Sequence, residues 1–307
     1  MDLNKLTEDM LNVIDSYGFE QKGAYNLRYN GSALCHGDSD NIKIVKKQDK
    51  QGIDIYISSD TKNETVHIPV VVADSGITDI VYNDFYVEDG ADVVIVAGCG
   101  IHNDGCNDSR HDGIHTFHVG KNAKVKYEEK HYGEGIGSGK RFLNPATIID
   151  VGENSVFTLD TAQIKGVDST LRKTEVRLGE NAKLIVTERL MTHLDQKAQS
   201  DITVSLKGRN SSAQIISRSV AKGNSAQTFH PIAIGENKCQ AHIQCDSIIM
   251  DNAQVASIPE IDAKNVDAAI VHEAAIGRIN NEQLTKLRTL GMTEQQAEAV
   301  IIENFLN

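Results

Sequence analysis

The sequence has no tryptophan, and aromatic residues make up only 5% of its 307 positions. A core built around aromatic anchors is excluded. Small and β-branched side chains must fill the interior, which suits thin, regularly stacked structure. No apolar run approaches the roughly 18–20 residues of a membrane span. The first thirty residues carry acids from Asp2 onward and no continuous apolar stretch, so no secretory signal is expected. There is no long Lys/Arg run and the net charge is −12, which argues against a nucleic-acid footprint. No CxxC pair occurs, which excludes a zinc ribbon or a ferredoxin-type cluster site. The cysteines at 35, 99, 106, 239 and 245 are odd in number and read as reduced thiols. The expectation is a cytoplasmic protein with no nucleic-acid or membrane partner, long enough to fold without a metal or disulfide.

What is present is a beat. A short turn followed by an alternating strand recurs in VEDGADVVIVAG, VGKNAKVKYEE, VGENSVFTLD, LGENAKLIVTE, LKGRNSSAQIIS, IGENKCQAHIQC and AKNVDAAIVHE. Anchored at Gly90, Asn122, Asn154, Asn181, Asn210, Asn237 and Asn265, the spacings are 32, 32, 27, 29, 27 and 28 residues. Gly and Asn tolerate positive φ, so they end one strand and redirect the chain. The V-x-V alternation then sends one residue set inward and the next outward. Strands that short cannot bury a face alone, whereas stacked copies can. The pattern predicts an all-β core folded as a β-solenoid, a parallel β-helix. The alternative is an antiparallel sandwich whose turns share the beat.

The ends differ from the middle. Leu3, Leu6, Met10, Val13, Ile14 and Tyr17 recur at helical spacing, with Gly18 as the stop. At the other end Asn280 opens a helical stretch through Leu284, Leu287 and Leu290, halted at Gly291. Thr293 and Gln296 then form a capping-box pattern before Ala297, Val300, Ile301 and Phe305. Three regions are expected: a helix and small strands over 1–64, the solenoid core over 65–275, and a helical hairpin over 276–307. The hairpin either caps the solenoid or serves as a docking surface.

Two places could carry chemistry. Cys99, His102, Cys106, His111, His115 and His118 crowd into AGCGIHNDGCNDSRHDGIHTFH and could supply a tetrahedral zinc site, although the order matches no familiar finger. The second is the strand AHIQCDSIIM, where Cys245 read alone is a small core residue. Eight residues separate Asn237 from Cys245, and eight separate Asn265 from Glu273. On those anchors the two stack about 5 Å apart on one face, with His272 on the opposite face. A carboxylate there is costly unless paired, metal-bound or at an open edge. Thiolate plus carboxylate suits loosely held iron, and two copies meeting edge to edge would double the ligands.

At these residues the chain resembles a known family. CDSIIM, Pro259, VHEAAIGRI and EQLTKLRTLGMTEQQAEAVIIENF look like the C-terminal signature of the SufB/SufD family. AGCGIH with its His-containing strand resembles the family's middle section, so the likeness covers about residues 65–307. The resemblance implies a right-handed parallel β-helix and a non-catalytic scaffold that holds a transient, nascent iron–sulfur cluster. It implies that the C-terminal helices dock on a SufC-type ABC ATPase and that two β-helices pair across a twofold axis. Cys245, His272 and Glu273 match the junction residues of SufB, where SufD-like chains typically carry His at the place of Glu273. Cys99 matches the SufB cysteine that receives sulfur from a donor protein. Two features depart from the pattern. The cysteine motif of the longer SufB N-terminal region is missing, and Val271 replaces the acid that usually precedes the His-Glu pair. A reduced, SufB-like member acting as a homodimer is the inference. A carbohydrate-active β-helix enzyme and a purely structural interaction module are the competing readings.

Overall fold

The computed structural model of the chain describes residues 5–14 and 23–306. Two sheets of eleven strands each face one another. One runs through Lys62–His67, Asp92–His102, Lys124–Glu134, Val156–Lys165, Lys183–Thr192, Ser211–Ala221, Cys239–Ile249 and Ala268–Gly277. The other runs through Gly52–Ile57, Thr78–Val87, Ser109–Val119, Ala146–Val151, Ser169–Leu178, Lys197–Leu206, Ala226–Gly235 and Gln254–Ser257. The chain alternates between sheets, and neighbours along these runs pair in parallel, so it winds as a β-solenoid. Among the described residues, antiparallel pairing is confined to two N-terminal hairpins. The sandwich alternative is overturned.

Register follows from inward alternation. Asp92, Lys124, Val156, Lys183, Ser212, Gln240 and Ala269 lie on one ladder, so the coils are 32, 32, 27, 29, 28 and 29 residues long. The last two differ by one residue from the spacing of the Asn anchors. Asn122, Asn154, Asn181 and Asn210 all have φ of 53–58°, the left-handed turn position. Asn237 and Asn265 do not, and the ladder puts Lys238 and Asp267 at that place. The longer early coils bulge at their turns. There Gly135, Gly137 and Gly139 lie so close to 103–107 that a Cβ on any of them would collide with backbone.

Four of the few aromatics form an inner spine. Phe85 and Phe117 stack at 4.4 Å between ring centres, with Tyr127 and Phe157 packed beside them. Valine, isoleucine, leucine and alanine make up most of the apolar cluster around them. At one corner the Asn181 amide donates to Asn154 at 3.0 Å and the Asn210 amide donates to Asn181 at 3.2 Å. At another, the left-handed position is held in successive coils by Leu194, Gly223 and Asp251. Leu194 (φ 55°) is 68% exposed and gains little from burial. Leu194→Gly is expected to raise stability by about 0.5–1 kcal/mol, because the left-handed strain of an L-residue exceeds the entropy cost of glycine. A lowered thermal midpoint would contradict this.

Helices flank the solenoid at both ends of the sequence. Lys5–Ile14 buries Met10, Leu11 and Ile14 against the outer face of Asp92–His102, where Gly98 and Gly100 leave room for it. Leu3, Tyr17 and Gly18 lie outside the described residues. At the C-terminus Asn280 caps Asn281–Thr289 by accepting from Glu282 N at 2.8 Å. Gly291 turns the chain at φ 94°. Thr293 and Gln296 exchange backbone and side-chain hydrogen bonds at 2.9 and 3.2 Å, the expected capping box, ahead of Glu294–Leu306. Ile302, Phe305 and Leu306 pack on Val220, Ile248 and Met250.

Candidate functional site

The true register rearranges Cys245, His272 and Glu273. Cys245 lies opposite Ala274, Gln244 opposite Glu273, and Ile243 opposite His272. Cys245 therefore does not share a face with Glu273. The expectation of a stacked Cys245–Glu273 pair is corrected: a slip of one residue sends a side chain to the other face of the sheet. Inside, His272 Nε2 lies 3.3 Å from Cys245 Sγ. Outside, Glu273 is 65% exposed and its Oε2 lies 3.6 Å from His242 Nε2. Cys245 itself is 3% exposed, and burial pushes its thiol pKa up, with the Ser257 hydroxyl working the other way. Ala268–Gly277 is the last strand of its sheet, so this site lies one rung from an open edge.

Cys99 is 4% exposed among Val70, Val72, Ile101, Leu143 and Val167. Burial pushes its thiol well up, Glu129 and Asp79 add to that, and Arg172 opposes it. Its ladder continues inward through His131, Gln163, Leu190, Ser219 and Ser247. The neighbouring inward row reads Ala97, Glu129, Thr161, Glu188, Ser217 and Cys245. Both cysteines thus face the same interior, five strand steps or about 24 Å apart.

The interior between them is polar. Arg172 reaches across from the opposite sheet to form ion pairs with Glu129 and, at 3.8 Å, Glu188. Its guanidinium also lies 3.3 Å from His131 Nδ1, and His131 Nε2 lies 3.5 Å from Glu129. Ser200 and Ser217 hydroxyls donate to Glu188 at 2.6 and 3.1 Å. Despite burial, the cation and histidines around Glu129 hold its carboxyl well below the usual range. Sequence reasoning missed this network. Its signal was a charge at an inward phase of an alternating strand: Glu129 in VKYEEKH and Glu188 in LIVTERL.

The six residues weighed as a zinc site are split by the same alternation. Cys99, His111 and His115 face inward and are buried. His102 is held outside by Asp104 at 2.9 Å and Glu134 at 3.3 Å, and His118 stacks on Tyr86 at 5.0 Å on the outer face. Cys106 is exposed. A single tetrahedral site from these residues is therefore corrected. Among the described residues no three His, Cys, Asp or Glu side chains converge as metal ligands. Cys245 and His272 are brought together as a pair, with no third such side chain beside them among the described residues.

Residues 77–305 match the domain described as "SUF system FeS cluster assembly, SufBD core domain". The chain is 26% identical over 242 residues to an iron–sulfur cluster assembly SufBD family protein of Methanothermobacter thermautotrophicus, covering 77% of this chain and 57% of that protein. It is 26% identical over 243 residues to one from Methanocaldococcus jannaschii, covering 78% and 76%. Over 202 residues it is 30% identical to one from Pyrococcus horikoshii, covering 65% and 60%. The chain thus spans little more than half the length of several relatives. With three quarters of its sequence matched to that core domain and a parallel solenoid to carry it, this chain belongs to the SufBD family of iron–sulfur cluster assembly proteins.

Proposed function

We propose that the chain is a cytoplasmic, non-catalytic scaffold on which an iron–sulfur cluster is assembled and from which it leaves. The nascent cluster is substrate and product, not a resident group. Cys245 and His272 supply a soft and a borderline donor at the end of the solenoid, and a second copy pairing along Ala268–Gly277 supplies the rest. An incomplete ligand set in each copy favours release. The observation that carries this reading is the 3.3 Å contact of Cys245 with His272 one rung from an open sheet edge, in a chain of this family. The C-terminal helices present a groove of about 490 Å³ lined by Ile248, Leu287, Val300, Ile301 and Phe305, the surface assigned here to a SufC-type ABC ATPase. ATP hydrolysis belongs to that partner. Sulfur from a donor protein enters at Cys99, whose burial means the solenoid must open locally to accept it.

Anaerobic incubation with ferrous iron and sulfide tests the site. The wild-type chain is expected to develop visible charge-transfer absorption, and Cys245→Ala to lose it. Normal cluster uptake by Cys245→Ala would refute the assignment.

A further inference from the structure

One inward hydroxyl near Cys245 is unused. Ser257 ends the strand Gln254–Ser257 in the sheet that faces Cys245, and its Oγ is buried without a hydrogen-bond partner. We propose that Ser257 is a positioning residue for the assembly site: its hydroxyl donates to Cys245 Sγ when that sulfur holds a metal ion, and so fixes the direction of the sulfur. This rests on the reading above that Cys245 is a ligand of the nascent cluster.

The repeat sets the position. Arg172, Ser200, Phe229 and Ser257 form one inward row of their sheet. Glu188, Ser217 and Cys245 form an inward row of the other. Across the interior the Ser200 hydroxyl donates to Glu188 at 2.6 Å. Two rungs further, the same step carries Ser200 to Ser257 and Glu188 to Cys245, so Ser257 faces Cys245 as Ser200 faces Glu188. A cysteine side chain is two bonds shorter than a glutamate. The Ser257 hydroxyl therefore stops short of a formed bond, yet it is near enough to act on the thiol.

The neighbours of the sulfur supply the need. A metal ion that binds Cys245 displaces the thiol proton to solvent, and the thiolate then only accepts hydrogen bonds. His272, 3.3 Å from Sγ, cannot donate through a nitrogen that itself binds metal. The register partners of Cys245 are Ala274, which has no side-chain donor, and Ser217, whose hydroxyl goes to Glu188 at 3.1 Å. Ser219 and Ser247 bond to each other at 2.8 Å. Of these side chains Ser257 alone keeps a free hydroxyl for the sulfur. A buried hydroxyl without a partner is costly, and a thiolate opposite it gives it one. Groups that hydrogen-bond to a metal ligand orient it, and losing one typically lowers metal affinity about 10–100-fold.

Anaerobic titration of the full chain with Co²⁺ tests the proposal, read by the sulfur-to-cobalt charge-transfer band that Cys245→Ser removes. Ser257→Ala is expected to bind Co²⁺ about tenfold more weakly. Its band should also move to longer wavelength, because a sulfur lone pair freed of its hydrogen bond lies higher in energy. Ser257→Thr keeps the hydroxyl and should restore both properties. Ser257→Val has nearly the volume of the Thr variant and the same fit to a strand, and it should restore neither, which separates the hydroxyl from packing. If the Ala and Val variants match the wild type in affinity and band, or if Thr behaves as Val does, the role of Ser257 is overturned while Cys245 stands as a ligand. A wild-type chain without any band that depends on Cys245 would overturn the reading of Cys245 as a ligand, and this role with it.

Discussion

Arg172→Met is expected to destabilise the protein by about 3–5 kcal/mol, measured by chemical denaturation. The side chain sits in the solenoid interior between Glu129 and Glu188, all three of them nearly fully buried. Methionine fills much of the same volume, so cavity formation is a minor part of the loss. The larger part is electrostatic: two carboxylates remain in a low-dielectric interior with their cation gone. Ser200 and Ser217 still donate to Glu188, but hydroxyl dipoles do not replace a guanidinium. Adding Glu129→Gln and Glu188→Gln to Arg172→Met is expected to recover much of the loss, since the buried charges then vanish together. If the triple variant is no more stable than Arg172→Met alone, packing and not charge explains the effect.

Acidification from about pH 6.5 to 4 is expected to remove about 3 kcal/mol of stability through one residue, His115. Burial pushes its pKa down to about 4, below the ordinary 6.5. The imidazole is neutral in the folded chain, stacked between Phe85 and Tyr127, and its Nδ1 has no hydrogen-bond partner. Between the two pKa values the unfolded chain binds a proton that the folded chain refuses, so stability rises with pH across that window. The contribution is complete above about 6.5 and gone below about 4. His115→Phe is expected to flatten the profile there, and an unchanged slope would show that the titration lies elsewhere. Asp79 acts at lower pH. Held down to about 2 by His111 and Arg28 against its burial, its contribution is complete above about 4 and is lost as pH falls through about 2.

The solenoid was legible because its rule is local. Positive-φ Asn at 122, 154, 181 and 210, each followed by an alternating strand, announces a turn and a two-residue period. The C-terminal caps were legible for the same reason, since Asn280, Gly291 and the Thr293–Gln296 box act within one turn of chain. The inner network was not. Arg172 meets Glu129 and Glu188 from the opposite sheet, and no local pattern records which residues cross the interior to meet.

Read alone, the amino-acid order determined the architecture, the caps of the C-terminal helices and the family, all of which follow from period, turn chemistry and motif. Only the tertiary structure decided which donors share a face. The two last turns are made without a left-handed asparagine, so ladder pairing and not the Asn spacing sets the register there. Because side chains alternate with a period of two, that one-residue difference seats His272 with Cys245 inside and leaves Glu273 with His242 outside.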